Sequence, residues 1–294
     1  QVSKFLDTAG SKLDYRRYGE PLLDVLIAGG ILAPGGVIVD DVDSSRPSRT
    51  DVCVFGAKLD HSSLKQYYGV LYKLIRRYKY MEKPLVEELR KLIMFLKGFS
   101  VEERHKLATV VGICLANSLG NPGCLDALFE EHLVKEGIAL EFAIDLFKAW
   151  LVEKDMSNLG SALKRAGLET KLLDLLPFNK RSLENFENHF KAAGLDQIVD
   201  YQRVKASGEM RKLMQNKVRD MIKDDEPVKD IVNALLDDMR KNNLNEHDVV
   251  VMVWNVIMSV VEWNKKEELV ADQALKHLRT YGPALLAPFA TTPR

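Results

Sequence analysis

Along most of the chain apolar residues recur every three or four positions, the spacing that lines one face of an α-helix. Leu64, Tyr67, Tyr68, Leu71, Leu74, Ile75, Tyr78 and Met81 form one such stripe and predict a helix over 64–83. Leu85, Leu89, Leu92, Ile93 and Leu96 form a second stripe. Ser100 with Glu103 three positions on is a capping box that opens a third helix, running to Ser118. The same periodicity predicts helices over 125–136, 138–153, 158–166, 182–193, 195–206, 209–224, 228–242, 246–262 and 265–281. Clusters of Gly, Pro or Asn separate several of them, as in "NSLGNPG" (117–123) and "LPFNKRS" (176–182).

The pattern changes character at one junction. Val249–Val261 is a 13-residue oily run, broken by Asn255 and Ser259, and predicts a helix buried between layers. After the corner "EWNKKE" the apolar positions thin to Trp263, Leu269, Val270, Ala274, Leu275, Leu278 and Tyr281, one face of an outer amphipathic helix. Glu267, Glu268, Asp272, Lys276 and Arg279 should then face water. Trp263 is expected to pack into the core at the corner. Glu262–Lys266 and Asp272–Lys276 have the acid-before-base i,i+4 spacing, worth about 0.2–0.5 kcal/mol each.

One stretch breaks the helical rule. Residues 29–55 carry short β-branched runs, Val37–Val42 and Val52–Phe55, and predict a small β-hairpin or an extended surface loop near 37–55. Strand content is otherwise expected far below the roughly 20–25% of ordinary globular domains. Many helices joined by short turns imply an all-α fold of stacked antiparallel helix pairs, an α–α superhelix of HEAT type with degenerate repeats. A boundary is expected near "VKASGEMRK" (204–212) or near Asp224–Pro227, dividing the chain into 1–207 and 208–294. Leu64/Leu71 and Leu89/Leu96 have heptad spacing, but neither series continues, so a leucine zipper is rejected.

Composition narrows the function. Of 294 residues 46% are hydrophobic and 29% charged, which predicts a folded core rather than disorder. Lys+Arg 42 balances Asp+Glu 42, so a wholly basic nucleic-acid binder is excluded while a local patch is not. The 13-residue oily run is short of the roughly 20 residues a membrane span needs. Cys53, Cys114 and Cys124 show no CxxC spacing and point to reduced thiols and a cytosolic or nuclear setting.

Catalytic patterns are missing. "GGILAPGG" (29–36) lacks the order of a dinucleotide or phosphate loop. S-x-x-K occurs twice, at Ser62–Lys65 and Ser161–Lys164, without its partner motifs. The six histidines show neither H-x-x-x-H nor H-E-x-x-H spacing, so no metal, cofactor or small-molecule substrate is expected, nor enzyme activity. What remains is surface. On the predicted helix 64–83, Lys65, Lys73, Arg76, Arg77, Lys79 and Lys83 oppose the apolar stripe, with Tyr72 and Tyr80 among them and Glu82 as the lone acid. Arg16 and Arg17 in "LDYRRYGE" extend this patch if the fold brings them near. Such a face suits RNA, with phosphates on cations and bases on rings, or an acidic protein segment; equally it is a solvated face whose cations pair with acids elsewhere.

"LDYRRY", "LAPGG", "LIRRYKY", "LVKEGIA", "LFKAW" followed by "EKD", and "VEWNKKEELVADQALKHL" together, in order along essentially the whole chain, resemble the basic leucine zipper and W-two domain proteins, also called eukaryotic initiation factor five-mimic proteins or, in insects, krasavietz. The resemblance implies an N-terminal HEAT domain like the middle domain of the initiation-factor-four-G scaffold, then a W-two domain shared with initiation factor five. It implies a cytoplasmic, non-catalytic regulator that competes with factor five for the beta subunit of initiation factor two and for subunits of initiation factor three, within the pre-initiation complex, and thereby raises start-codon stringency and lowers non-AUG initiation. The contact regions expected are the basic face (Arg16, Arg17, Lys73, Arg76, Arg77, Lys79) and the corner (Glu262, Trp263, Lys265, Lys266, Glu267, Glu268). An RNA-binding helical scaffold is the alternative. Against the family pattern the chain lacks a basic N-terminal arm before Gln1 and stops at "PFATTPR", where the W-two domain should continue. The expectation is a fragment with weak or lost factor-two binding and uncovered apolar surface on the helices between 228 and 281.

Overall fold

A computed structural model describes residues 2–33, 37–38, 50–242 and 244–286. The chain divides into two compact units, Gln1–Tyr201 and Gln202–Arg294.

The first unit is a stack of helix hairpins. It opens with α1 (Val2–Ala9) and α2 (Tyr15–Ala28). Asp14 caps α2 by accepting the Arg16 N–H at 3.0 Å, and Gly29, at φ 78°, ends it in the left-handed conformation that a side chain disfavours. α3 (His61–Arg77), α4 (Glu82–Met94), α5 (Val101–Ala116), α7 (Ile138–Glu153), α8 (Met156–Arg165) and α9 (Leu183–Ala192) follow, with the single-turn α6 (Glu131–Lys135) between α5 and α7. The capping box at Ser100 is present in both directions, Ser100 Oγ to the Glu103 N–H and Glu103 to the Ser100 N–H. Buried Leu, Ile, Val and Phe side chains from α2 through the start of α10 (Asp196–Lys223) make one continuous core, centred on α5 and α7. Those two helices touch closely at Gly112, where an added Cβ would stand 2.5 Å from the Leu146 carbonyl oxygen.

The second unit takes Met214, Val218 and Ile222 of α10 and adds α11 (Val228–Asn242), α12 (Glu246–Ser259), α13 (Glu267–Tyr281) and a π-type turn over Gly282–Leu286. Its own core is Ile231 and Leu235 with Val249, Met252, Val253, Val256, Ile257, Tyr281 and Leu285.

The all-α class is as expected; the details correct several expectations. The helix expected over 64–83 stops at Arg77. Pro84 explains why: inside a continuous helix its ring would strike the carbonyl four residues back, whereas in the first turn of a new helix it is tolerated. A 3₁₀ turn over Lys79–Met81 bridges the break. The two helices expected at 195–206 and 209–224 are the single α10, since one Gly at 208 costs helix stability only about 1 kcal/mol and does not stop it. In place of a helix over 125–136 there is a 3₁₀ stretch, Pro122–Phe129, and then α6. The only extended pairing among the described residues is β1 (Leu32–Ala33) antiparallel to β2 (Val37–Ile38); residues 39–49 lie outside them. Val52–Phe55 is not a strand. Its amides serve α2 instead: Val54 N–H donates to Leu26 O and Phe55 N–H to Ile27 O, both at 3.1 Å, satisfying carbonyls that a helix end leaves open.

Candidate interaction surfaces

The basic face begins at the break after α3. Lys73, Arg76 and Arg77 are neighbours on its last turns, at i,i+3 and i,i+4. Tyr78 leaves the helix, and its ring meets Tyr15 edge-on at 5.2 Å and Tyr80 at 6.0 Å. The Arg16 guanidinium lies over the Tyr80 ring at 5.0 Å, so α2 does join this patch, while Arg17 lies over Tyr18 at 5.4 Å. Tyr72, exposed like Tyr80, is backed by Tyr68 at 5.9 Å. A groove of about 410 Å³ lined by Lys79, Tyr80, Glu82, Lys83, Val86 and Asn121 opens beside Tyr80.

Acids from elsewhere in the fold, and one from the next turn of α4, neutralise part of the face. Asp7 takes Arg77 at 3.1 Å and Glu87 lies 3.7 Å from Lys83. Lys65 is withdrawn altogether, bonded to Glu153 at 2.8 and 2.9 Å. His61 and Asn117 complete that knot at 2.7 and 3.2 Å. Burial penalises the Glu153 charge, but hydrogen bonds from Lys65, His61 and Asn117 outweigh it and hold the carboxyl down at about 2. Among the described residues no acid pairs with Arg16, Arg17, Lys73, Arg76 or Lys79.

A second groove, about 360 Å³, runs between the starts of α3 and α5 and the end of α7, lined by His61, His105, Asp145 and Lys148 with Leu64 and Val152. Each imidazole there is already paired, His61 with Glu153 and His105 with Asp145, and the Thr109 hydroxyl donates to the backbone carbonyl of His105 at 2.9 Å. No cluster of His, Cys, Asp and Glu suited to a metal occurs among the described residues. No helix among them is long and apolar enough to cross a membrane.

The 262–268 corner differs most from expectation. Trp263 is 62% exposed rather than packed in the core; its Nε1–H donates to Met258 O at 2.9 Å, fixing the ring at the end of α12. The Glu262 N–H donates to Gln273 at 3.0 Å. Because 260–266 is not helical, Glu262 pairs with Lys265, not Lys266, and no Asp272–Lys276 pair forms among the described residues. Glu267 and Glu268 open α13 in its first turn, the end where negative charge is favoured. Of the stripe expected to face inward on α13 only Tyr281 is buried; Leu269 and Leu275 are exposed. α12 is not buried all round either, for Val251 and Trp254 are open to solvent. The corner thus carries an exposed indole a few residues ahead of the acidic first turn of α13, with further bare apolar side chains on both flanking helices. The exposure of Trp263 and Trp254 had no signal in periodicity, because a period shows which face is apolar and not whether another element covers it.

Residues 1–212 match the family model of the 5MP1/2 HEAT domain. The chain is 48% identical over 290 residues to eIF5-mimic protein 2 of Gallus gallus and of Homo sapiens, covering 99% of this chain and 68% of each relative. It is 47% identical over the same span to eIF5-mimic protein 1 of Danio rerio. No solved structure matches it.

Proposed function

The chain belongs to the eIF5-mimic protein family, and from that premise we propose that it is a non-catalytic, cytoplasmic regulator of translation initiation, competing with initiation factor five for initiation factors two and three. Released from factor five, the pre-initiation complex reads start codons more stringently and non-AUG initiation falls. Residues 208–294 correspond in this reading to the N-terminal part of a W-two domain.

The observation that carries the reading is the 48% identity extending over 99% of the chain, through both units and the corner. The surface is of a suitable kind. A competitor needs an exposed face that other proteins grip, and Glu267 and Glu268 at the start of α13, with the exposed Trp263 and the Lys265-paired Glu262 just before them in the chain, offer one to a lysine-rich segment: carboxylates for the ammonium groups, an indole face for cation–π contact. Lys265 and Lys266 in the same corner restrict the register in which such a segment lies.

The test is titration of purified factor-two beta subunit and factor-three subunits against the full-length protein, with Trp263→Ala and Glu267→Lys/Glu268→Lys beside wild type. Loss of an exposed anchoring Trp should weaken binding roughly 30-fold, the scale of an interface hot spot. In a cell-free reporter, wild type should lower initiation at a near-cognate codon and the corner variants should not. Absence of binding to both factors by the full-length protein overturns the reading.

A further inference from the structure

We propose that the face formed by the start of α2, the last turns of α3 and the turn after it binds single-stranded RNA, with Tyr72 and Tyr80 as stacking platforms and Arg16, Lys73, Arg76 and Lys79 as phosphate contacts. This goes beyond competition for protein factors and does not depend on it.

Continuity of the face is established by contacts. Arg16 lies over Tyr80, Tyr80 meets Tyr78, Tyr78 lies 5.7 Å beneath the Arg77 guanidinium, and Lys73 is one helical turn from Arg77. The four named cations keep their charge uncompensated by any acid among the described residues. That distinguishes them from Lys65, Lys83 and Arg77, whose acids come from α7, α4 and α1. Local excess positive charge in a chain of zero net charge is the electrostatic footprint of a polyanion.

The apolar component selects RNA over an acidic protein. On α3 and the following turn the exposed large apolar side chains are tyrosines alone, Tyr72 and Tyr80, each 40% exposed. A protein partner needs a dry aliphatic or aromatic pocket at the centre of its interface. A nucleotide base needs only an aromatic plate beside a cation, which Arg16 on Tyr80 and Arg76 one turn from Tyr72 supply. The groove beside Tyr80 gives a second base somewhere to lie. On its wall stands Asn121, whose Oδ1 is engaged by the Gly123 N–H at 2.8 Å, leaving its amide group to donate to a base edge or a 2′-hydroxyl.

Fluorescence anisotropy of a labelled twelve-nucleotide oligouridylate with the full chain tests this. Four phosphate contacts predict a log–log salt slope of about −2.8, at about −0.7 each. Lys73→Glu/Arg76→Glu should lower affinity and halve the slope to about −1.4. Tyr72→Ala and Tyr80→Ala should each lower affinity about tenfold with the slope unchanged, while Tyr72→Phe and Tyr80→Phe retain binding. The Phe variants separate stacking from any loss of fold, which circular dichroism also monitors. Three results overturn the proposal: affinity indifferent to the charge reversal, affinity indifferent to removal of both rings, or polyglutamate of matched length competing as well as the RNA. The last would assign the face to acidic protein segments.

Discussion

Glu88 sets a stability change whose sign separates two physical accounts. It lies on α4, facing α2, with no exposed surface, and neither carboxyl oxygen has a hydrogen bond of good geometry. Lys91 Nζ stands 2.6 Å from Oε2 and is shared with Glu20 at 2.8 Å; the buried Asp24 of α2 adds a second negative charge, its own Oδ2 accepting the Leu32 N–H. Desolvation dominates, Lys91 opposes it, and Asp24 and Glu20 reinforce it, pushing the Glu88 carboxyl up from 4.5 to about 7. A raised carboxyl stabilises the fold only while protonated. Its contribution is complete below about pH 4.5, where both states hold the proton, and is lost as pH rises to about 7, because the unfolded chain has released the proton while the folded one still holds it. At 1.36 kcal/mol per pH unit the window from 4.5 to about 7 is worth on the order of 3 kcal/mol. Glu88→Gln keeps the volume, cannot ionise and leaves Lys91 its bond to Glu20. Urea denaturation of both proteins, followed by circular dichroism at several pH values, gives the difference in unfolding free energy, in which other titrating groups cancel. That difference should move in favour of Gln by about 3 kcal/mol as pH rises through the window, with the m-value unchanged. If the Lys91 ion pair outweighed burial, the carboxyl would be depressed and the difference would move the other way. Parallel pH profiles, or that opposite trend, refute the argument.

Two glycine substitutions should have opposite signs in the same denaturation assay. Gly112→Ala forces a Cβ to within 2.5 Å of the Leu146 carbonyl and should cost about 1–3 kcal/mol, whereas Gly208→Ala meets no atom within 4 Å inside α10 and should stabilise by up to about 1 kcal/mol. Glu153→Gln should lose about 2 kcal/mol at neutral pH, since three hydrogen-bond donors then face an uncharged amide. That loss should shrink as pH falls from 4.5 towards 2, the range in which the wild-type carboxylate itself gains its proton. Cys53, Cys114 and Cys124 are all buried, and burial pushes the thiol of Cys124 up to about 12 and that of Cys114 further. A thiol-specific reagent at neutral pH should therefore label none of them in the native protein and all three in denaturant.

Periodicity reported the helices well because it depends on residues three and four apart, the range over which one helix face is defined. It failed where the deciding feature was something other than side-chain polarity, or lay further off. Pro84 ends a stripe that Met81 continues, since a stripe registers side-chain polarity and is blind to a missing N–H. Val52–Phe55 has the β-branched composition of a strand, yet its amides find the open carbonyls of α2, a competitor visible only once α2 is placed. The basic face shows the same division more sharply. Lys65 and Lys73 are equivalent in sequence, both cationic and both on a tyrosine-bearing helix. Only the fold reveals that Glu153, 88 residues away, cancels the first and that no described acid reaches the second. Arg16 and Tyr80 are likewise 64 positions apart and meet at 5.0 Å because Tyr78 packs on Tyr15 where α3 ends beside α2. A cation's identity is local, but whether its charge remains available to a partner is a property of the whole fold. The residues that stay unbalanced after folding, and not the longest basic run, are therefore the ones whose reversal should change binding without changing stability.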